Sequence, residues 1–335
     1  MDVYIKHIEY YLPEQVLTNV DINRMHPEWE VDKISKKTGI YERRIASKNE
    51  FASDMAVSAA EKLINIHGIN RSKIDFIVYC TQSADYFLPT TACILQNKLK
   101  LNIGCGAIDL NQGCSGYVYG LAICKGLIES GAANNILFIT AETYSKYINP
   151  NDKSNKTIFG DAATATLLSN ETGYFKLLNF SFGTNGEGAE NLIVRNGASR
   201  FRYSKGLDIF DESNNYVKND DNLFMNGKEI FSFTSKEVPL LVSDVLEKNN
   251  QKINQIDYFV FHQANKFMLD FIRKKMNIEP DKFIEFLKNV GNTVSNTIPI
   301  ALNERCFVKK GKFLLIGFGV GYSWAGCIIE TNDIS

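Results

Sequence analysis

Cys114, His262 and Asn292 are the residues of this sequence whose types and settings suit covalent catalysis. Cys114 lies in the turn NQGCSGY, His262 in FVFHQAN and Asn292 in NVGNTVSN. A thiol nucleophile needs a partner that holds it as a thiolate and a donor that stabilises charge on a carbonyl oxygen, and histidine and asparagine supply these. Taken singly, each has an ordinary alternative: a buried cysteine, a structural or surface histidine, and an asparagine in a turn or helix cap.

The turn around Cys114 favours a reactive role over a packing role. Gly113 and Gly116 flank the cysteine, and we expect their missing side chains to clear space around the thiol. The stretch that follows predicts a helix whose first turn holds Cys114. The unpaired N–H groups and the positive end of that helix are expected to favour the thiolate.

An internal repeat shows which elements position these residues. SKIDFIVYCTQ (72–82) matches NQIDYFVFHQA (254–264), because each has an Ile-Asp start, an apolar run of strand length and a polar exit. Helix-like stretches precede and follow both segments. The order then repeats: IDLNQGCSGY is echoed by LKNVGNTVSN, ANNILFITAE by KGKFLLIGFG, and FGDAATATLL by FGVGYSWAGCII. Several matches in one order indicate a duplication.

The duplication predicts an α/β fold with two strand–helix halves, 1–175 and 176–335, each with a largely buried central sheet layered between helices. In such folds the loops at the carboxyl ends of strands carry the chemistry. Because duplication brings the loops of both halves to one crevice, the three candidate residues are expected to converge there. The polar segment 195–221 is predicted to be an irregular surface excursion.

The glycine-rich segment GFGVGYSW (317–324) superficially resembles a dinucleotide-binding loop. Its glycines lead into another apolar strand and not into a helix, so no helix end is offered to a pyrophosphate. We interpret it as a tight hairpin whose backbone N–H groups can approach a substrate oxygen, or as a turn with no further role.

Composition and charge argue against several other classes of protein. Lys and Arg total 37 against 38 for Asp and Glu, a formal net charge of −1, so no global attraction to nucleic acid or an anionic membrane is expected. No apolar run approaches the roughly 20 residues that span a bilayer, and the amino terminus lacks the apolar core of a signal peptide. The 7 cysteines show no C-x-x-C pairing, which favours reduced, cytoplasmic thiols over a disulfide framework or a metal site.

Six motifs together resemble the β-ketoacyl-acyl-carrier-protein synthase III family, condensing enzymes of the thiolase fold, nearly end to end. The motifs are KKTGIYERRIAS (36–47), NQGCSGY, FGDAA (159–163), HQAN (262–265), GNT (291–293) and GFGVGYSW. The resemblance implies that Cys114 is acylated by an acyl-CoA primer and that His262 and Asn292 serve condensation with malonyl-acyl-carrier protein. It also implies a homodimer and no cofactor beyond the coenzyme A and phosphopantetheine thioesters.

The implied chemistry suits the residue types. After a malonyl thioester loses carbon dioxide, the enolate carries negative charge on its oxygen, to which His262 Nε2 and the Asn292 amide could donate. An oxyanion hole for acyl transfer is expected from the Cys114 N–H and a backbone N–H of the 319–321 turn. Val320 stands there in place of a glycine usual in the family.

The resemblance also places substrate-binding residues along the approach to the cysteine. These are Lys37, Leu88, Lys153, Phe231, Asn265 and Phe267. Lys37 and Lys153 stand where arginine is common. Arginine can stack on rings and bind a phosphate with two hydrogen bonds, whereas lysine offers only a point charge. Leu88 replaces an aromatic residue that reaches across the dimer, so we expect more room for a branched, longer or substituted acyl group.

The helix predicted after HQAN carries a basic run, Lys266, Arg273, Lys274 and Lys275. Such a run is usually a solvated face, but here it begins beside His262 and suits docking of an acidic carrier protein.

Two other functions stay open, namely transfer of the acyl group to an alcohol, an amine or water, and a degenerate scaffold without activity. Intact Cys, His and Asn argue against the scaffold. The sequence does not distinguish initiation of general fatty-acid synthesis from a specialised acyl pathway.

Overall fold

Most of the apolar segments predicted as strands join one mixed sheet. The structure is a computed structural model, and it describes residues 1–332. Its strands are β1 (Tyr4–Tyr11), β2 (Gln15–Thr18), β3 (Glu42–Ile45), β4 (Phe76–Cys80), β5 (Gly106–Leu110), β6 (Asn135–Glu142), β7 (Ala162–Ser169), β8 (Phe175–Thr184), β9 (Leu192–Ile193), β10 (Ile209–Phe210), β11 (Tyr216–Lys218), β12 (Phe224–Met225), β13 (Tyr258–Phe261), β14 (Lys312–Gly319) and β15 (Ser323–Thr331). The sheet is 9-stranded, in the order β13-β14-β15-β8-β1-β7-β6-β4-β5.

Helices cover this sheet in layers. They are α1 (Asn19–Met25), α2 (Val31–Thr38), α3 (Ala52–Ile66), α4 (Thr91–Lys98), α5 (Gly116–Glu129), α6 (Lys153–Lys156), α7 (Gly227–Lys248), α8 (Lys266–Lys275) and α9 (Thr297–Arg305). Helices α3 and α4 pack on strands of the first half, and α7 packs on strands of the second half. Helix α5 contacts β4 and β6 as well as β14 and β15, so it lies between the two halves, and α9 likewise contacts β1 and β13. The predicted layered α/β fold is therefore confirmed.

The two halves share one sheet, whereas the duplication predicted a central sheet for each. The ladder between β1 and β8 is short, pairing Tyr4 with Lys176 and Ile5 with Phe175. Elsewhere the halves correspond, because β4 is parallel to β6 as β13 is to β14, and β6 is antiparallel to β7 as β14 is to β15. The division into 1–175 and 176–335 stays a prediction.

The second half departs from the repeat where LKNVGNTVSN was expected to echo a strand. Residues 287–296 form no strand there, and their isolated bridge joins Asn292 to Phe159. The chain then turns through Gly291 at φ 72° and Val294 at φ 58°, conformations that a ladder cannot continue. This loop is consequently free to pair elsewhere, and that pairing positions Asn292.

Two loop predictions are confirmed. Segment 195–221 runs largely over the surface and contains a short 3-10 helix, Ser199–Phe201, and the small β10–β11 hairpin. Strands β14 and β15 pair antiparallel up to Gly319 and Ser323, so GFGVGYSW is a tight hairpin.

Candidate active site

Cys114, His262 and Asn292 line one cavity of about 450 Å³. Cys114 lies between β5 and α5, His262 directly follows β13, and Asn292 lies in the loop that leads to α9. Exposed fractions of 6%, 2% and 4% show that all three are buried at its inner end. The predicted convergence of the loops of the two halves is thus observed, while the catalytic roles stay predictions.

The hairpin at Gly319 lies directly against Cys114. A Cβ on Gly319 would lie 2.8 Å from Cys114 Cβ and 3.1 Å from its Sγ, and a Cβ on Gly317 would lie 2.8 Å from Ser115 Cα. Glycine is therefore required for strand β14 to approach Cys114. Sequence reasoning singled out Val320 in this turn and missed Gly319, although the GFG pattern was a signal for close backbone approach.

The glycines that flank Cys114 act differently from the expectation. A Cβ on Gly113 would lie 2.6 Å from Gln82 Oε1 and 2.6 Å from Val320 Cγ1, and a Cβ on Gly116 would lie 2.5 Å from Cys80 Sγ. The space that these glycines leave is occupied by neighbouring side chains, so it does not open room around the thiol.

The expectation of a stabilised thiolate is wrong for the free protein. Helix α5 begins at Gly116, two residues after Cys114, with Ser115 as its N-cap. Burial, with a smaller contribution from the charge of Glu142, raises the pKa of Cys114 to about 12. Desolvation thus dominates the shift, and Cys114 is a thiol at neutral pH. Reaction requires a group that accepts its proton.

The hydrogen bonds of His262 leave one ring nitrogen able to accept a proton. The Thr297 hydroxyl donates to the Val294 carbonyl at 3.1 Å, so its oxygen accepts from His262 Nδ1–H at 2.7 Å. The remaining nitrogen, Nε2, then carries a lone pair and lies 3.5 Å from Asn292 Nδ2. Burial lowers the pKa of His262 to about 3, so the free ring is uncharged at neutral pH. A donor role for Nε2, as the sequence predicted, requires a proton gained during the reaction.

Asn292 is held by the loop that carries FGDAA. Its backbone N–H donates to the Ile158 carbonyl at 2.9 Å, and its carbonyl accepts from Gly160 N at 3.0 Å. A Cβ on Gly160 would lie 2.4 Å from the Val290 carbonyl, so only glycine fits where the two loops cross. Asn292 Oδ1 accepts from Val294 N at 2.9 Å, which leaves Nδ2 to act as the donor.

Sequence reasoning missed the buried carboxyl of Glu142 behind the site. Glu142 ends β6 and is 0% exposed. It accepts from the Ser83 hydroxyl at 2.9 Å, from the Ser295 hydroxyl at 3.3 Å and from Gln82 N at 3.1 Å. Burial raises the pKa of Glu142 to about 8. The sequence did offer a signal, because the apolar strand segment ANNILFITAE ends in a glutamate, Glu142.

Five of the six predicted substrate-binding residues line the cavity. They are Lys37, Lys153, Phe231, Asn265 and Phe267. Leu88 is 85% exposed and does not line it within residues 1–332. Lys33, which the sequence analysis did not name, lines the cavity as well, and with Lys37 and Lys153 it places three exposed ammonium groups at the mouth.

The basic run of α8 is partly engaged within the chain. Lys266 makes ion pairs with Asp270 and Glu285 at 3.3 and 3.4 Å. Arg273 donates to the Ile278 carbonyl at 3.0 Å, and Lys275 donates to the Ser235 carbonyl at 2.8 Å. Lys274 is exposed. The four predicted docking residues are therefore not equally available to a partner.

Within residues 1–332, no helix combines the length and apolar composition needed to cross a membrane. All 7 cysteines have free thiols. Among the side chains that the structure describes, no three of His, Cys, Asp or Glu are grouped as metal ligands.

The sequence of this chain is similar to those of known synthases. Residues 108–186 match the family model of 3-oxoacyl-[acyl-carrier-protein (ACP)] synthase III, and residues 246–331 match the model of its C-terminal part. The beta-ketoacyl-[acyl-carrier-protein] synthase III of Fusobacterium nucleatum is 36% identical over 334 residues, covering 97% of this chain and 98% of the relative.

Solved structures agree with the sequence matches. A crystal structure of a 3-oxoacyl-(acyl-carrier-protein) synthase III has a TM-score of 0.94 at 45% identity, covering 98% of this chain and 100% of the other. The 3-oxoacyl-(acyl-carrier protein) synthase of Burkholderia xenovorans LB400 has a TM-score of 0.89 at 34% identity, covering 98% and 94%. With identity above 30% over nearly its whole length, the chain belongs to the 3-oxoacyl-[acyl-carrier-protein] synthase III family.

Proposed function

We propose that this protein condenses an acyl-CoA primer with malonyl-acyl-carrier protein to give a 3-oxoacyl thioester and carbon dioxide. The observation that carries the proposal is the convergence of a buried thiol, an uncharged imidazole and an amide donor on one cavity. Family membership supports the same reaction, because the relatives are named as synthases of this type.

In the first step the Cys114 Sγ–H proton passes to His262 Nε2 while sulfur attacks the acyl carbon. The bond from the acyl carbon to the coenzyme A sulfur breaks, and that sulfur takes the proton from Nε2. The products are acyl-Cys114 and coenzyme A thiol. Because the pKa of Cys114 is about 12, proton transfer to His262 must accompany attack at neutral pH.

In the second step the malonyl carboxylate leaves as carbon dioxide, and its bonding electrons form an enolate. Asn292 Nδ2 donates to the enolate oxygen. The reaction consumes one proton, which enters from solvent on His262 Nε2 and is shared with that oxygen. The enolate carbon then attacks the acyl carbon, Cys114 sulfur is expelled, and the proton on Nε2 returns it to the thiol. Decarboxylation generates the carbanion, so the proposal includes no resident cofactor.

The mouth of the cavity suits the carriers of both thioesters. Lys37 and Lys153 place positive charge where the phosphates of coenzyme A or of a phosphopantetheine arm would enter, whereas Lys33 makes an ion pair with Glu30. Helix α8 begins at this mouth, and its exposed Lys274 suits an acidic carrier protein. The proposal further includes a cytoplasmic homodimer.

Two linked assays test the proposal. Intact-mass spectrometry with an acyl-CoA panel measures loading, and release of labelled carbon dioxide from malonyl-carrier protein measures condensation. Wild type is expected to load one acyl group and then to form the 3-oxoacyl product, whereas Cys114→Ala is expected to do neither. Loading followed only by hydrolysis, or by transfer to an alcohol or an amine, would replace condensation by the acyltransferase or thioesterase alternative. Undiminished loading of Cys114→Ala would exclude Cys114 from the reaction.

A further inference from the structure

The space directly behind Cys114 is filled by side chains of the same chain. Tyr144 and Val320 pack in one apolar cluster with Cys114. Gln82 Oε1 and Val320 Cγ1 both occupy the space that a side chain on Gly113 would need, each 2.6 Å from its Cβ position. Within residues 1–332, none of Gln82, Tyr144 and Val320 lines the cavity that reaches the thiol. The cavity therefore ends at Cys114 and does not continue past it.

Gln82, Tyr144 and Val320 thus form a wall behind Cys114. Hydrogen bonds and ring packing hold this wall in place. The Tyr144 hydroxyl donates to Gln82 Oε1 at 2.5 Å, and its ring, 4% exposed, packs against Phe159 and Tyr147. Gln82 is also held at its backbone, because its N–H donates to Glu142 and its carbonyl accepts from the Tyr147 hydroxyl at 3.1 Å. Displacing the pair would leave buried polar groups without partners, which is costly.

We propose that Tyr144 and Gln82, together with Val320, limit the acyl group loaded on Cys114 to short primers of acetyl or propionyl size. The inference rests on the proposed function, since it names the acyl group that the same thiol accepts. An acetyl group extends only its methyl carbon beyond the carbonyl, whereas a hexanoyl chain directed past Cys114 meets the packed side chains of Tyr144, Gln82 and Val320. The sequence expectation of extra room concerned Leu88 reaching across a dimer, and in the single chain Leu88 is 85% exposed.

The physical basis is steric, so the expected discrimination grows with chain length. A packed apolar site rejects an additional methylene by roughly 10-fold or more when no room can be made for it. Part of this rejection is expected to be lost if the wall opens by rotation of Tyr144, and the length profile measures that loss directly.

The test is the ratio of hexanoyl to acetyl loading on Cys114, measured by intact-mass spectrometry with coenzyme A thioesters from acetyl to octanoyl. Wild type is expected to load acetyl at least about 10-fold faster than hexanoyl. Tyr144→Ala is expected to raise the hexanoyl-to-acetyl ratio by about 10-fold or more. Gln82→Ala, a change in a partly exposed loop, is expected to shift the ratio in the same direction and keeps the test available if Tyr144→Ala does not fold.

A matched control is Tyr119→Ala, the same substitution at a partly buried tyrosine that packs against Phe182 outside the site. Its ratio is expected to equal that of wild type. Equal hexanoyl and acetyl loading in wild type, or an unchanged ratio in both wall variants, would overturn the inference while leaving the proposed reaction intact. No loading of any acyl group on wild type would instead overturn the proposed function as well.

Discussion

At the scale of single residues, burial decides the protonation states on which the proposed chemistry depends. The pKa of Cys114 is raised to about 12 and that of His262 is lowered to about 3. Each group is therefore uncharged at rest, and an ion pair between them is not the ground state. Nucleophile activation is expected to occur with substrate attack, when the developing charges compensate each other.

Replacing Asn292 with Ala is expected to slow condensation by roughly 10²–10³-fold, because it removes a donor to the enolate oxygen. Loading of Cys114 should suffer much less. Asn292→Asp keeps an oxygen that can accept from Val294 N and loses the amide donor, so it separates the donor role from support of the loop. Carbon dioxide release from malonyl-carrier protein and acyl loading are measured for both variants, with the exposed Asn289→Ala as the control. Condensation of Asn292→Ala at the wild-type rate would remove Asn292 from the proposed site.

Glu142 is expected to make the protein less stable as the pH rises. Its pKa is about 8 in the folded protein against 4.5 for the unfolded reference. The folded state thus binds the proton more tightly, and the stability so gained is complete below about pH 4.5 and is lost between there and pH 8. Relative to Glu142→Gln, the free energy of unfolding of wild type should fall with pH in this window, by at most about 1.4 kcal/mol per pH unit.

Urea unfolding of both proteins at about pH 5, 6, 7 and 8 checks this expectation, because these values cover most of the pH range in which the stability is expected to fall. Titrating groups that do not interact with Glu142 are common to the two proteins and cancel in the difference. A difference that does not change with pH would show that the Glu142 carboxyl ionises normally in the folded state.

At the scale of elements, short segments from the two halves cross at the site and each fixes the other. The Asn292 loop pairs with the loop at Phe159, and β14 passes against the start of α5. Helix α8 starts from the Asn265 cap, since the Asn265 side chain accepts from Met268 N at 2.9 Å. The start of α8 at this cap determines which of its side chains, including Lys274, are exposed.

Reversal of the exposed charge on α8 by Lys274→Glu is expected to lower kcat/KM for malonyl-carrier protein, because it slows encounter with an acidic partner. The loss should shrink at high ionic strength and be nearly absent with malonyl-CoA. Lys73→Glu is the matched control, since Lys73 is exposed and precedes β4 at the opposite, amino end of the strands. Equal losses with both malonyl donors would show damage to the fold or the mouth instead of a docking effect.

At the scale of the whole molecule, one edge of the sheet is formed by β5, whose outer side has no strand partner within residues 1–332. Ile108 on this strand is 41% exposed, and the nearby segment Tyr86, Phe87 and Leu88 is 63%, 69% and 85% exposed. An open edge beside exposed apolar side chains favours association with a second copy. This is the surface on which the proposed homodimer is expected to form.

Ile108→Asp is expected to weaken that dimer, because it places a charge on the apolar edge. Light scattering coupled to size-exclusion chromatography should give about twice the chain mass of 37.8 kDa for wild type and a lower mass for the variant at micromolar concentration. Val308→Asp, at a 90% exposed position outside this edge, is the control. A wild-type monomer, or an unchanged mass for Ile108→Asp, would contradict the assignment of this edge.

Local patterns in the sequence were sufficient to select the candidate residues that converge on one cavity and to predict most of the elements. Apolar runs with polar exits predicted β4, β13 and β14, and the repeat predicted that loops of both halves meet at Cys114. These features are encoded over a few residues, because strand length, turn residues and side-chain chemistry are short-range properties. The missing strand before Asn292 was not visible, since it depends on pairing with the distant loop at Phe159.

The tertiary structure alone decided the electrostatics and the shape of the site. The helix start beside Cys114 suggested a thiolate, but desolvation by packed neighbours from both halves raises the pKa of the thiol. Likewise, nothing local to Gln82 or Tyr144 indicated that they close the space behind the thiol, and nothing local to Lys266 showed its ion pair with Glu285. Desolvation, steric volume and ion pairing are sums over atoms that are close in space and far apart in the chain, so only the folded arrangement determines them.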